Sequence, residues 1–125
     1  MILSAFRLNG MRAPTGEQFT LELESEGTRT LAIITEVAAS LRVLDVGGDE
    51  VIDSYPAESS PPYGSGMVLS PWPNRIRDGL WMLDGSAQQL DITEVGRHNA
   101  IHGLLRTRPY RVVERSASAI TLEAT

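Results

Sequence analysis

The chain has 125 residues and a net charge of −5, with neither cysteine nor lysine. That length suffices for one ordinary domain with a real core. The missing cysteine excludes disulfides, thiolate metal sites and cysteine nucleophiles, the missing lysine excludes Schiff-base chemistry, and the acidic balance argues against nucleic acid, whose phosphates need a cationic surface. The charge is uneven: residues 1–60 hold ten acids against four arginines, and the rest hold six acids against seven. Met1 to Gly16 scatters Arg7, Asn9 and Arg12 and holds no apolar run suited to a signal peptide. The longest apolar stretch, around Leu31 to Ile34, is far too short to cross a bilayer. A soluble cytoplasmic protein with no membrane partner is the expectation.

The dominant periodicity is two. Phe19, Leu21 and Leu23 alternate with Thr20, Glu22 and Glu24, which predicts a half-buried strand over 19–24. β-Branched and aliphatic runs predict strands over 31–37 and 41–46, and Gly47-Gly48-Asp49 then turns the chain toward Val51-Ile52. Thr35 to Leu44 can also be drawn as a helix, but Ser40 and its β-branched neighbours favour strand–turn–strand. Pro56 to Gly66, with three prolines, three serines and two glycines, is a surface loop. Strands over 80–83 and 88–91 flank the turn signal Asp84-Gly85. A last hairpin, 110–114 with 119–123, brackets Ser116-Ala117-Ser118. The class is all-β, and many short strands with polar turns favour a sandwich.

Two segments on either side of the Asp84-Gly85 hairpin carry the chemistry. In Pro71-Trp72-Pro73-Asn74-Arg75-Ile76 the prolines hold the chain extended, so a side chain is presented at little further entropic cost. Arg75 offers five donors in a planar fork, suited to vicinal hydroxyls or to a sugar carboxylate or sulfonate. Taken alone, Arg75 is as readily a surface arginine and Trp72 a core aromatic. In Asn99-Ala100-Ile101-His102-Gly103, His102 lies between an apolar side chain and an unobstructed backbone and can donate to or accept from a hydroxyl; alone it is as readily a hydrogen-bonded core histidine. His98 invites a metal reading, but the zincin pattern needs Glu after the first histidine and Asn99 stands there. Asp78, Asp84, Asp91 and Glu94 cluster near the motifs. Two of them suit a glycosidase pair, although Asp84 and Asp78-Gly79 are more simply turn residues. There is no nucleophile elbow, phosphate loop or dinucleotide glycine pattern.

In order and spacing, the run from about Gly66 to Arg108 resembles the aldose 1-epimerase (galactose mutarotase) family, in the subgroup with a Pro-Trp-Pro-Asn-Arg-Ile segment. The resemblance rests on Asn74, Arg75, Ile76 and Gly79, the turn Asp84-Gly85, the Gln89-Leu90 strand, and Asn99, His102 and Gly103. Residues 1–60 match only in outline. The resemblance implies a β-sandwich of the galactose mutarotase-like (supersandwich) type, with residues 1–125 as the N-terminal portion of its single domain. It further implies interconversion of the α and β anomers of an aldose. In that family a glutamate takes the anomeric hydroxyl proton and a histidine protonates the ring oxygen. The ring opens, the C1–C2 bond rotates, and reclosure gives the other anomer without a cofactor.

Positions matching Asn74, Arg75 and His102 line the family's sugar site. Its acid histidine, an aspartate on the ring hydroxyls and the base glutamate fall beyond Thr125. The expectation is therefore a chain that binds an aldohexose or derivative and contributes no catalytic residue of its own. It carries no metal or cofactor, and its open sheet edges invite self-association. A non-catalytic carbohydrate-binding sandwich and an interaction domain without a sugar site remain open alternatives.

Overall fold

The computed structural model describes residues 12–124; the reading of Met1 to Gly16 as holding no apolar run suited to a signal peptide falls mostly outside them. No α-helix occurs among the described residues. The elements are ten strands: β1 Gln18–Ser25, β2 Thr28–Thr35, β3 Leu41–Val46, β4 Asp49–Glu50, β5 Arg75–Arg77, β6 Leu80–Leu83, β7 Ser86–Gln89, β8 Asn99–Ile101, β9 Tyr110–Arg115 and β10 Ile120–Ala124, with short 3-10 turns at Pro62–Gly64 and Val95–Arg97. The all-β expectation holds, and the helix drawable over Thr35 to Leu44 is absent. The chain divides into two compact units, residues 12–68 with 107–124, and Leu69–Arg106.

In the first unit β1 to β4 form an antiparallel sheet in chain order. Two-residue turns join its strands because both central residues adopt positive φ: Glu26-Gly27 (51° and 77°) between β1 and β2, and Gly47-Gly48 (66° and 94°) between β3 and β4. Such turns match the right-handed twist of the strands they join. The strand expected over 31–37 starts earlier, at Thr28, and stops at Thr35, because Ala38 and Ala39 turn left-handed (φ 65° and 45°). That turn is fastened by polar groups. Thr35 N–H donates to Ser40 O at 2.9 Å and Thr35 Oγ1 donates to Val37 O at 2.7 Å. Ser40 Oγ meets Tyr55 Oη at 3.0 Å and donates to Ser65 O at 2.9 Å. Thr35 and Ser40 are fully buried, which is tolerable because these bonds satisfy their polar atoms.

The alternation of β1 does not translate into uniform burial. Phe19 is 2% exposed, Leu21 is half-buried and Leu23 is 53% exposed. Burial grades along β1 from its Phe19 end, which pairs with the buried Thr35 end of β2. β9 and β10 form the expected C-terminal hairpin, closed by Ser116 Oγ accepting from Ala119 N–H at 3.1 Å. It engages β1 directly: Glu22 N–H donates to Ala117 O at 2.8 Å, Arg115 Nη2 donates to Thr20 O at 2.9 Å, and the Arg115 guanidinium lies 5.5 Å from the centre of the Phe19 ring.

In the second unit β6 and β7 form a hairpin around Asp84-Gly85 (φ 49° and 80°). β7 begins at Ser86 rather than at 88, because a two-residue turn resumes pairing at once. The remaining pair, β5 with β8, is antiparallel in the register Arg75 with Ile101, Ile76 with Ala100, and Arg77 with Asn99. It brings the two chemistry-bearing segments together.

Candidate functional site

Asn74 and His102 are stapled to each other. Asn74 N–H donates to His102 Nδ1 at 2.9 Å, and His102 N–H donates to Asn74 O at 2.9 Å. Both residues have left-handed backbones, φ 65° at Asn74 and 60° at His102. This conformation is uncommon outside glycine, although Asn and His are enriched among the exceptions. With Nδ1 accepting, the neutral imidazole carries its proton on Nε2, which remains a donor. Gly103 follows at φ 74°, and a Cβ there would run into the Ser70 carbonyl. Leu104 N–H donates to that same oxygen at 2.7 Å. Only glycine permits this approach of the two segments.

Arg75 opens β5 beside Asn74, and its guanidinium is held on two sides. Nε donates to Glu94 Oε2 at 2.7 Å and Nη2 donates to Glu94 Oε1 at 2.8 Å, a two-pronged clamp. Nη1 donates to Asn74 Oδ1 at 3.3 Å. Asn99 Nδ2 donates to Glu94 Oε2 at 2.8 Å, so the carboxylate serves both residues. The loop carrying Glu94 is itself closed: Glu94 N–H donates to Asn99 O at 2.9 Å, Asn99 N–H returns a bond to Glu94 O at 3.2 Å, and a 3-10 turn at Val95–Arg97 lies between. Ile101 N–H donates to Thr93 Oγ1 at 2.9 Å, tying the same loop to β8.

The electrostatics follow from these contacts. Arg75 and Asn99 hold the Glu94 carboxyl down at about 2, assisted by the charge of Arg97, and Glu94 in turn raises the Arg75 pKa above its ordinary value. Glu94 is therefore ionised and engaged, not an available proton acceptor.

The sequence-predicted residues thus come together: Asn74, Arg75 and His102 lie within one network. His98 does not join it. It sits left-handed after the 3-10 turn, with Nδ1 2.9 Å from Asp78 Oδ1. No group of three or more His, Asp or Glu side chains among the described residues is arranged to hold a metal ion. Trp72, which taken alone reads as a core aromatic, has its indole N–H buried without an acceptor. Glu94 is one of the four carboxylates near the motifs, two of which suit a glycosidase pair on sequence, and nothing in the sequence reading ties it to Arg75. The available signal was its position five residues before Asn99, in a segment where an arginine needs a counter-charge.

Short antiparallel strands, a stapled Asn–His pair and a clamped arginine describe an all-β protein with a preorganised cluster of hydrogen-bond donors. The family model for aldose 1-epimerase matches residues 20–125. The chain is also 39% identical over 93 residues to the uncharacterized protein YihR of Escherichia coli (strain K12), across 74% of this chain and 30% of that protein. The chain belongs to the aldose 1-epimerase family, and its all-β architecture fits the sheet-rich sandwich class of the mutarotases. It spans 30% of the length of the curated relative it matches. No helix among the described residues is long and apolar enough to cross a membrane. Nothing among the described residues supports the expected self-association.

Proposed function

We propose that Asn74, Arg75 and His102 bind the hydroxyls of an aldose, and that the chain supplies the sugar-binding half of an anomer-interconverting site. The observation that carries this reading is the reciprocal Asn74–His102 staple beside the clamped Arg75, in a chain of the aldose 1-epimerase family. Donors fixed before the ligand arrives lose little freedom on binding, and this favours recognition of a small neutral polyol. Titration of the 125-residue chain with D-galactose and D-glucose, followed by amide shifts, is the test. Arg75→Ala should weaken binding on the order of ten- to a hundredfold, as for loss of hydrogen bonds from a charged group. An unchanged titration would make Arg75 a bystander.

The 125-residue chain by itself is proposed to bind without catalysing. Anomer interconversion needs a base to take the C1 hydroxyl proton and an acid to deliver one to the ring oxygen as the C1–O bond breaks. Glu94 is held at about 2 by Arg75 and Asn99 and is too weak a base for the first task. Asp78 is paired with His98. His102 can fill one role at most. Polarimetry on freshly dissolved α-D-glucose should show relaxation at the buffer rate. Faster relaxation abolished by His102→Ala would overturn this proposal.

A further inference from the structure

We propose that Glu94 is the positioning residue of this site: it holds the Arg75 guanidinium in the one orientation that presents its remaining N–H groups to a sugar. This rests on the sugar-binding reading above.

The geometry distinguishes this pair from the other ion pairs among the described residues. Arg12–Glu36 and Arg111–Glu123 each join one guanidinium nitrogen to one carboxylate oxygen. In Arg29–Glu22, Nε at 3.3 Å and Nη2 at 3.1 Å share a single oxygen on an exposed sheet surface. Arg75–Glu94 alone among them sets two nitrogens against two different oxygens, at 2.7 and 2.8 Å. A single-point pair lets the guanidinium swing, whereas a two-pronged pair fixes its plane.

The donor count shows what the clamp leaves over. Of five guanidinium N–H groups, Glu94 takes the one on Nε and one on Nη2, and Asn74 Oδ1 takes one on Nη1. One N–H on Nη1 and one on Nη2 remain as donors for the oxygens of a ligand. Glu94 is itself fixed before any ligand arrives, by Asn99 Nδ2 on its side chain and by the two backbone bonds that close loop 94–99. Arg75 is the more exposed partner, with 41% of its side chain accessible against 21% for Glu94. The carboxylate therefore lies behind the arginine as a support, and the arginine faces outward.

The experiment reads the clamp and the ligand separately. In a nitrogen–proton spectrum of the 125-residue chain, the Arg75 Nε–H signal should stand apart from the other arginines, and D-galactose or D-glucose should bind. Glu94→Ala should return that signal to the common arginine position and weaken sugar binding on the order of tenfold, with other backbone amides unmoved. Glu94→Gln keeps the shape and one acceptor oxygen and should recover part of the loss. This isosteric variant carries the test if Glu94→Ala does not fold. Glu22→Gln, which removes an ordinary surface pair, should change neither readout. A shifted Arg75 signal with undiminished sugar affinity in Glu94→Ala overturns the positioning role. So does an Arg75 signal that does not move. A wild-type chain with the distinct Arg75 signal and no sugar binding would sink the sugar reading, and the positioning role with it, while leaving the clamp as observed.

Discussion

The two units of the chain differ in how much apolar burial stands behind their turns and side-chain bonds. Residues 12–68 with 107–124 use strands of up to eight residues, paired with their sequence neighbours, around the buried side chains of Phe19, Ala38, Tyr55 and Tyr110. Leu69–Arg106 has strands of three or four residues and buries only Ala100 and Ile101 among its apolar side chains. β6 of that unit exposes Leu80, Trp81, Met82 and Leu83. The second unit relies on side-chain bonds to backbone and on left-handed residues at Asn74, Asp78, Asp84, His98 and His102. Apolar burial is tolerant of detail, because many shapes fill a core. Directional bonds at unusual φ are not, and they are what sets polar groups at fixed distances. The lesson is that changes in the first unit should appear as lost stability, and changes in the second as lost geometry.

The largest expected effect tests the first half of that contrast. Phe19→Ala removes an almost fully buried aromatic and should cost about 3–5 kcal/mol in urea unfolding. A loss under about 1 kcal/mol would show that the first unit does not depend on its apolar cluster. Next is Gly103→Ala, which places a Cβ against the Ser70 carbonyl at φ 74° and should cost about 1–3 kcal/mol. Its mark should be local: amide signals of Asn74 and His102 should shift while those of β1 to β4 stay in place. Movement throughout both units would break the comparison. Thr93→Val keeps the shape and removes the acceptor for Ile101 N–H, and should cost about 1 kcal/mol by thermal melting.

The smallest expected effect is a pH dependence. Glu94 is held at about 2 against an ordinary 4.5. An unfolded chain therefore takes up this proton at higher pH than the folded one. The clamp's contribution is complete above pH 4.5 and is lost as pH falls from there through about 2. Melting curves of wild type and Glu94→Gln should differ by a constant amount from pH 7 to 5 and converge below 4.5. A difference that persists undiminished at pH 2 would show that the carboxylate's charge is not what holds Arg75.

Features that depend on near neighbours are legible in the residues themselves. Alternation over 19–24 located β1, and β-branched and aliphatic runs located β2 and β3. Gly47-Gly48, Asp84-Gly85 and Ser116 to Ser118 located three turns, because positive φ or a serine bond back to the chain is a property of the residues in the turn. The resemblance carried Asn74, Arg75 and His102 as a group. The remaining features depend on distance in space. β5 and β8 are three residues each, too short for a period of two to register, and they pair across more than twenty residues of intervening chain. Leu23 has the same apolar character and strand face as Phe19, yet it is 53% exposed where Phe19 is 2%, because burial falls off along β1. Glu94 is one of four carboxylates near the motifs and chemically like the others. It became the partner of Arg75 because loop 94–99 closes on β8 and brings its two oxygens to 2.7 and 2.8 Å from the guanidinium, a relation that no local pattern encodes.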